Sequence, residues 1–142
     1  MRIAQEVYEA MVRQARSRLP EEACGYLLGD SAGNAVLNYP MTNIDHSPTH
    51  FAFDPKEQFD ATRYARSHGL TVIANWHSHP CTPARPSEED IRLAHDPATA
   101  YLILSLAGEV PVLRAFSIRH GEVTRLSADI TPPPDISRQK HT

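Results

Sequence analysis

Cysteine, glycine and basic charge are all scarce in this sequence, and long apolar runs are absent. The 142 residues include 2 cysteines and 6 glycines, and 14 Lys and Arg residues stand against 17 Asp and Glu residues. The resulting formal charge of -3 leaves no basic excess for binding a nucleic-acid backbone. No apolar run reaches the ~20 residues that a membrane helix requires. We therefore expect neither nucleic acid nor a membrane as a partner.

The two cysteines and the start of the chain indicate a cytoplasmic protein. Cys24 and Cys81 are too few to cross-link a fold of this size, and a reducing compartment keeps them as thiols. The first residues show no basic stretch followed by an apolar stretch, so we predict no secretory signal. The length predicts one domain, residues 1–129, and the composition predicts a flexible proline-rich tail, residues 130–142.

Three segments carry helical patterns. Residues 5–19 repeat apolar side chains on one face and end before a proline, which predicts an amphipathic helix. In residues 54–69, Asp54 stands at the N-cap position, Glu57 follows three residues later as in a capping box, and a glycine ends the segment. A third, short helix is predicted at residues 87–95.

The remaining apolar segments are bounded by turns, as strands are. A hairpin is predicted from residues 23–29 and 35–40, and residues 70–77 are nearly all apolar, as expected of a central strand covered on both faces. Three further strands are predicted at residues 100–106, 110–118 and 121–127.

The stretch HSHPCTPARPSEED, residues 77–90, holds a candidate metal site. Residues i and i+2 of a strand face the same way, so His77 and His79 can direct two imidazoles at one point. A helix that begins at Ser87 would return Asp90 to the same edge of the sheet. Two imidazoles and one carboxylate leave a fourth tetrahedral position open, which is typical of catalytic zinc. Each half alone has a simpler interpretation, because Ser-x-x-Asp is also a capping box and His-x-His is weak evidence for a metal.

The whole stretch resembles the signature of the JAMM (MPN-plus) zinc metalloproteases, H-x-H-P-x6-S-x2-D. The resemblance implies one zinc ion per chain, bound by His77, His79 and Asp90. It also implies that the Ser87 hydroxyl donates a hydrogen bond to the tetrahedral oxyanion. Cys81, which directly follows the His-x-His-Pro motif, is expected to lie near the metal without binding it.

In the same family a glutamate ahead of an apolar strand serves as general base. The segment PEEACGYLLG resembles that part of the family pattern, and Glu22 occupies the matching position. Its neighbour Glu21 remains the alternative. The family resemblance further implies an α/β fold of three α-β-α layers with a mixed central sheet, like that of the cytidine deaminases.

The segment PMTNIDHSPTHFAFDPKEQF is similar to the linking segment of the small bacterial JAMM proteins that process ubiquitin-like sulfur-carrier proteins. This similarity implies a peptidase that hydrolyses the bond after the carrier's C-terminal Gly-Gly and releases cysteine or a short extension. Arg85, in the loop between His79 and Ser87, is a candidate for contacting the carrier's C-terminal carboxylate. The alternatives are an isopeptidase that removes ubiquitin-like modifiers from conjugates and a non-catalytic MPN scaffold. The sequence leaves the oligomeric state open, a homodimer included.

Overall fold

Eight strands form one mixed sheet in the computed structural model, which describes residues 1–133. In chain order the elements are β1 (Arg2–Ala4), α1 (Gln5–Arg18), β2 (Cys24–Gly29), β3 (Ala35–Met41), α2 (Pro55–Ser67), β4 (Thr71–His79), α3 (Glu88–Arg92), β5 (Ala100–Ser105), β6 (Val112–Arg119), β7 (Glu122–Leu126) and β8 (Asp129–Thr131). Across the sheet the order is β7-β6-β5-β4-β2-β3-β1-β8. The neighbours β4 and β5 run parallel, as do β1 and its two neighbours, and the other pairs are antiparallel.

Helix α1 covers one face of the sheet, and α2 and α3 cover the other. The stripe Val7, Met11 and Ala15 of α1 is buried and joins the core around Trp76. On the opposite face, Ile91 of α3 joins a smaller cluster above β5 and β6. The predicted α-β-α arrangement with a mixed sheet is therefore confirmed, and it results from apolar stripes that each helix must bury.

Helix α2 begins as predicted, but one side chain of its first turn bonds elsewhere. The Asp54 side chain caps the helix by accepting a hydrogen bond from the Lys56 amide at 2.9 Å. Glu57 does not complete a capping box. Its carboxylate instead accepts from the amide and hydroxyl of Thr42, at 2.8 and 3.1 Å. The expected local bond is thus replaced by a long-range one that ties α2 to the end of β3.

Strand β4 lies in the middle of the sheet and separates two sets of side chains. Trp76 is fully buried on the α1 face, where its Nε1 donates to Asn38 Oδ1 at 2.9 Å, whereas His77 and His79 face α2 and α3. The neighbouring strand has Gly25 opposite Trp76, because a Cβ there would lie 2.6 Å from the Tyr39 carbonyl oxygen and 2.9 Å from the indole nitrogen. The shared orientation predicted for His77 and His79 is confirmed.

The structure at the two ends of the chain differs from the sequence predictions. The three-residue strands β1 and β8 were not predicted, and they pair in parallel at one edge of the sheet. The predicted domain end at residue 129 is therefore too early, because Ile130 and Thr131 pair with Ile3 and Ala4. Residues 134–142 of the predicted tail lie outside the described residues. Helix α3 is also shorter than predicted and ends at Arg92. Among residues 1–133, no helix is both long and apolar enough to span a membrane.

Candidate metal centre

Three side chains from β4 and α3 bring one ligand atom each to a common point. His77 Nε2 and His79 Nε2 lie 3.1 Å apart, and each lies 3.1 Å from Asp90 Oδ2. Zinc bound at about 2.0 to 2.1 Å to each of its tetrahedral ligands spaces those ligand atoms about 3.3 Å apart. The donor set His77, His79 and Asp90 therefore matches a divalent cation in both chemistry and spacing.

The two imidazoles are held in place by different contacts. His79 Nδ1 lies 2.9 Å from the Pro83 carbonyl oxygen, so the ring donates its N–H there and directs Nε2 at the shared point. The ring of His77 stacks on Phe51, with centroids 4.5 Å apart and planes inclined by 22°. The hydrogen bond fixes the tautomer and orientation of His79, and the stacked ring restricts the orientation of His77.

Asp90 reaches the histidines because it closes the cap of α3. The Asp90 amide donates to Ser87 Oγ at 3.0 Å, and the Ser87 amide donates to Asp90 Oδ2 at 2.9 Å. The capping box and the metal site, which the sequence presented as alternatives, are therefore the same structure. Because α3 has only five residues, this cap determines where the carboxylate points.

The surroundings shift the pKa values of the three side chains in different directions. Burial lowers the pKa of His77 and holds its ring neutral. Burial also acts to lower the pKa of His79, but hydrogen bonds to Asp90 and the Pro83 carbonyl raise it overall. For Asp90, burial opposes ionisation, yet hydrogen bonds from both imidazoles bring its pKa well below the ordinary range. An ionised carboxylate and a neutral imidazole are the states that a metal requires.

Glu22 lies beside this group, and Glu21 does not. The Glu22 side chain is only 3% exposed, and its Oε1 has no hydrogen-bond partner among the described residues. Burial raises its pKa to about 8, His79 lowers it, and Asp90 raises it further. The carboxylate of Glu21 instead points to the surface, where it lies 3.4 Å from His46 Nδ1. Burial therefore distinguishes the two glutamates between which the sequence left the choice open.

Buried polar groups hold the backbone at Glu22 against the end of β4. Ser78 is fully buried, and its Oγ accepts from the Ala23 amide at 2.7 Å. Asn43 is 5% exposed and donates to the Glu22 carbonyl at 3.1 Å, while the Glu22 amide donates to the Ser47 carbonyl at 2.8 Å. Sequence reasoning gave Ser78 and Asn43 no role in the site. The available signal was only that Ser78 lies between the two histidines and that Asn43 lies within the segment PMTNIDHSPTHFAFDPKEQF.

The metal centre opens into a cleft of about 820 Å³ between α2 and α3. His77 and Asp90 stand in its wall, together with the aromatic rings of Phe51 and Tyr101. His50 and His95 also line it. The cleft can therefore admit a chain segment to the point where the three ligand atoms meet.

Three residues singled out in the sequence do not line this cleft. Arg85 lines a different, smaller cleft. Cys81 is exposed and is not part of the metal-ligand group. Cys24 is buried on β2, and burial raises the pKa of its thiol to about 12. Both thiols are free, as predicted.

Residues 4–119 match the family described as prokaryotic homologs of the JAB domain. The chain belongs to this family. The CysO-cysteine peptidase of Mycobacterium tuberculosis is 35% identical over 124 residues, which cover 86% of this chain and 85% of that protein. A probable TtuB-protein conjugate cleaving protease of Thermus thermophilus is 30% identical over 125 residues, which cover 87% and 77%. Because its relatives are peptidases of this family, the chain is an enzyme, a peptidase of the JAMM type.

Two solved structures share the fold of this chain. Protein DSY2949 from Desulfitobacterium hafniense superposes with a TM-score of 0.87 at 42% identity, covering 94% of both chains. A JAB1/MPN domain protein from Archaeoglobus fulgidus superposes with a TM-score of 0.60 at 22% identity, covering 91% of this chain and 99% of that one. The second similarity shows that the fold is shared.

Proposed function

We propose that this chain is a zinc-dependent peptidase that hydrolyses the bond after the C-terminal Gly-Gly of a ubiquitin-like sulfur-carrier protein. Its product would be the carrier and a released cysteine or short extension. The observation that carries the proposal is the meeting of His77, His79 and Asp90 within 3.1 Å of one another beside the buried carboxylate of Glu22. One zinc ion per chain would be bound by those three side chains.

Zinc held by His77, His79 and Asp90 would supply Lewis acidity, which acidifies water near neutral pH and polarises a carbonyl group. Glu22 takes the proton from the attacking water and passes it to the leaving amine. Burial raises the pKa of Glu22 to about 8 without a metal, and a cation beside it would lower that pKa toward the working pH, where a carboxyl group can both accept and return a proton.

The Ser87 hydroxyl donates a hydrogen bond to the oxyanion that forms at the attacked carbonyl. Its oxygen accepts from the Asp90 amide, which leaves the hydroxyl hydrogen for the substrate. A donor of this kind contributes about 3 to 4 kcal/mol in comparable sites. Ser87 therefore has two roles in the proposal, as helix cap and as oxyanion donor.

The substrate class is supported by the relatives and by the short connection between β5 and β6. The CysO-cysteine peptidase is more similar to this chain than the TtuB-conjugate protease is, at 35% against 30% identity. Only residues 106–111 join β5 to β6, which leaves little room for an insertion that would hold a second folded modifier. Removal of a small C-terminal group is thus favoured over cleavage between two folded proteins.

The proposal is tested with metal content and intact mass. Purified protein is expected to bind about one zinc per chain, and His77→Ala is expected to lose it. The carrier CysO, extended after Gly-Gly by one cysteine, is expected to lose that cysteine in a chelator-sensitive reaction. We expect Glu22→Gln to retain zinc and to lower kcat at least 100-fold, with Glu21→Gln as the matched control near the wild-type rate.

The outcomes separate the parts of the proposal. Full activity of Glu22→Gln would exclude Glu22 as the base. Bound zinc without loss of the cysteine would reject the substrate, and cleavage of a carrier joined to a lysine side chain would then favour the isopeptidase. Absence of both zinc and activity would favour the non-catalytic scaffold.

A further inference from the structure

The loop formed by residues 80–86 has the metal centre on one side and a second cleft on the other. This second cleft, about 610 Å³ in volume, is lined by three arginines from three elements: Arg85 from the loop, Arg114 from β6 and Arg125 from β7. We call it the arginine cleft. Within residues 1–133 no carboxylate lines it, and none of its three guanidinium groups forms an ion pair. Its positive charge is therefore uncompensated in a chain whose net charge is -3.

The strand register places the arginine cleft on the same face of the sheet as the metal centre. His77 pairs with Ile103, and Ile103 pairs with Arg114, so these three side chains point to one face. Two strand spacings, about 10 Å, separate the backbones of His77 and Arg114. Arg125 pairs with Phe116, which lies on that same face. A protein engaged at His77 can consequently reach the arginine cleft.

Positive charge elsewhere in the described part of the chain is less well placed. Another cleft contains Arg13 and Arg18, but these belong to α1, which packs on the Trp76 face of the sheet. The main cleft at the metal centre is lined by Glu89, Asp90 and Asp96 and by no lysine or arginine. Of these three clefts, only the arginine cleft combines uncompensated basic charge with access from the site-bearing face.

We infer that the arginine cleft docks an acidic surface of the protein substrate while the substrate's tail occupies the main cleft. This inference rests on the proposed function. A tail of four to six extended residues spans roughly 13 to 20 Å, so the folded part of such a substrate must rest close to the metal centre. The exposed Val112 lines the same cleft as the arginines, and mixed arginine and apolar lining is typical of protein interfaces. Carboxylates are the groups that guanidinium forks bind best on a protein surface.

The inference is tested with two substrates and a matched charge control. The first substrate is CysO extended by one cysteine, and the second is a short peptide with the same C-terminal sequence but no folded domain. In the double variant Arg114→Glu/Arg125→Glu, KM for the folded carrier is expected to rise at least tenfold while kcat and peptide cleavage stay unchanged. Arg119→Glu, at an exposed position of β6 whose side chain points to the other face, is expected to leave both substrates unaffected. Metal content and circular dichroism check the folding of each variant, and Arg114→Gln/Arg125→Gln offers a milder change.

A binding experiment makes the result independent of catalysis. The affinity of wild type and variants for CysO ending in Gly-Gly, which has no bond left to cleave, is measured at 50 and 300 mM salt. The inference requires tighter binding at low salt and a loss of that salt dependence in the double variant. Equal binding by wild type and double variant, or no binding by either, would overturn it. If the carrier binds through the arginines but is not cleaved, the docking surface stands and the proposed reaction is rejected. If the carrier is cleaved and the arginine substitutions change nothing, the proposed reaction stands and the docking surface is rejected.

Discussion

The buried carboxylate of Glu22 makes the stability of the metal-free protein depend on pH, and Glu22→Gln should remove that dependence. The pKa of Glu22 is raised from 4.5 to about 8, chiefly by burial. Between these two pH values the folded protein holds a proton at Glu22 that the unfolded chain has lost. Stability is therefore greatest below pH 4.5 with respect to this group and falls as the pH rises toward 8.

The magnitude follows from the size of the pKa change. At about 1.4 kcal/mol per pKa unit, the rise from 4.5 to about 8 corresponds to at most about 5 kcal/mol. Water entry and side-chain relaxation around the ionised group reduce this figure, so we expect about 2 to 4 kcal/mol. Glutamine keeps the shape of the side chain and never ionises. The variant should thus be similar to wild type near pH 5 and more stable than wild type by that amount near pH 9.

Urea unfolding of chelator-treated protein between pH 5 and pH 9 measures this difference. The metal must be removed, because a bound cation would stabilise the ionised carboxylate and lower the pKa of Glu22. Glu21→Gln is the matched control, since the Glu21 side chain is 33% exposed and its replacement should change stability by less than about 0.5 kcal/mol at every pH. Parallel curves for wild type and Glu22→Gln across the range would refute the reasoning.

Three further predictions concern packing, thiol reactivity and the metal. Gly25→Ala should lower the free energy of unfolding by about 3 kcal/mol or more, because the added Cβ would lie 2.6 Å from a backbone oxygen. Gly108→Ala is the control and should change that free energy by less than about 1 kcal/mol, since its nearest neighbour lies 3.8 Å away. Urea unfolding of both variants measures the difference. Iodoacetamide should modify the exposed Cys81 alone in native protein and also the buried Cys24 after unfolding; intact mass showing two additions to native protein would contradict this burial. Asp90→Asn should weaken metal binding at least tenfold in calorimetric titration, since the ionised ligand is lost while the amide oxygen can still close the helix cap; unchanged affinity would exclude this carboxylate as a ligand.

Local interactions explain why much of the fold could be predicted from the sequence. The stripe of α1, the Asp54 cap of α2 and the alternation along β4 each depend on residues a few positions apart. The same holds for half of the candidate site. The spacing of His77 and His79 on one strand, and the cap that joins Ser87 to Asp90, are local patterns whose geometry follows from strand and helix periodicity.

Contacts between distant segments decided the rest. Glu22 and Glu21 are adjacent and chemically identical, and only the packing of Glu22 beneath the site buries one of them while the other stays at the surface. The bond from Glu57 to Thr42 replaced a predicted local cap in the same way.

The sequence by itself therefore determined the types and the spacing of the metal-binding residues, because strand and helix periodicity depend only on positions along the chain. The tertiary structure alone decided that Glu22 is the buried carboxylate and that its pKa rises, because desolvation depends on every segment packed around a group. It also decided that Arg85, Arg114 and Arg125 line one cleft, because residues 29 and 11 positions apart meet only through the pairing of β6 with β7 and the placement of the loop above them.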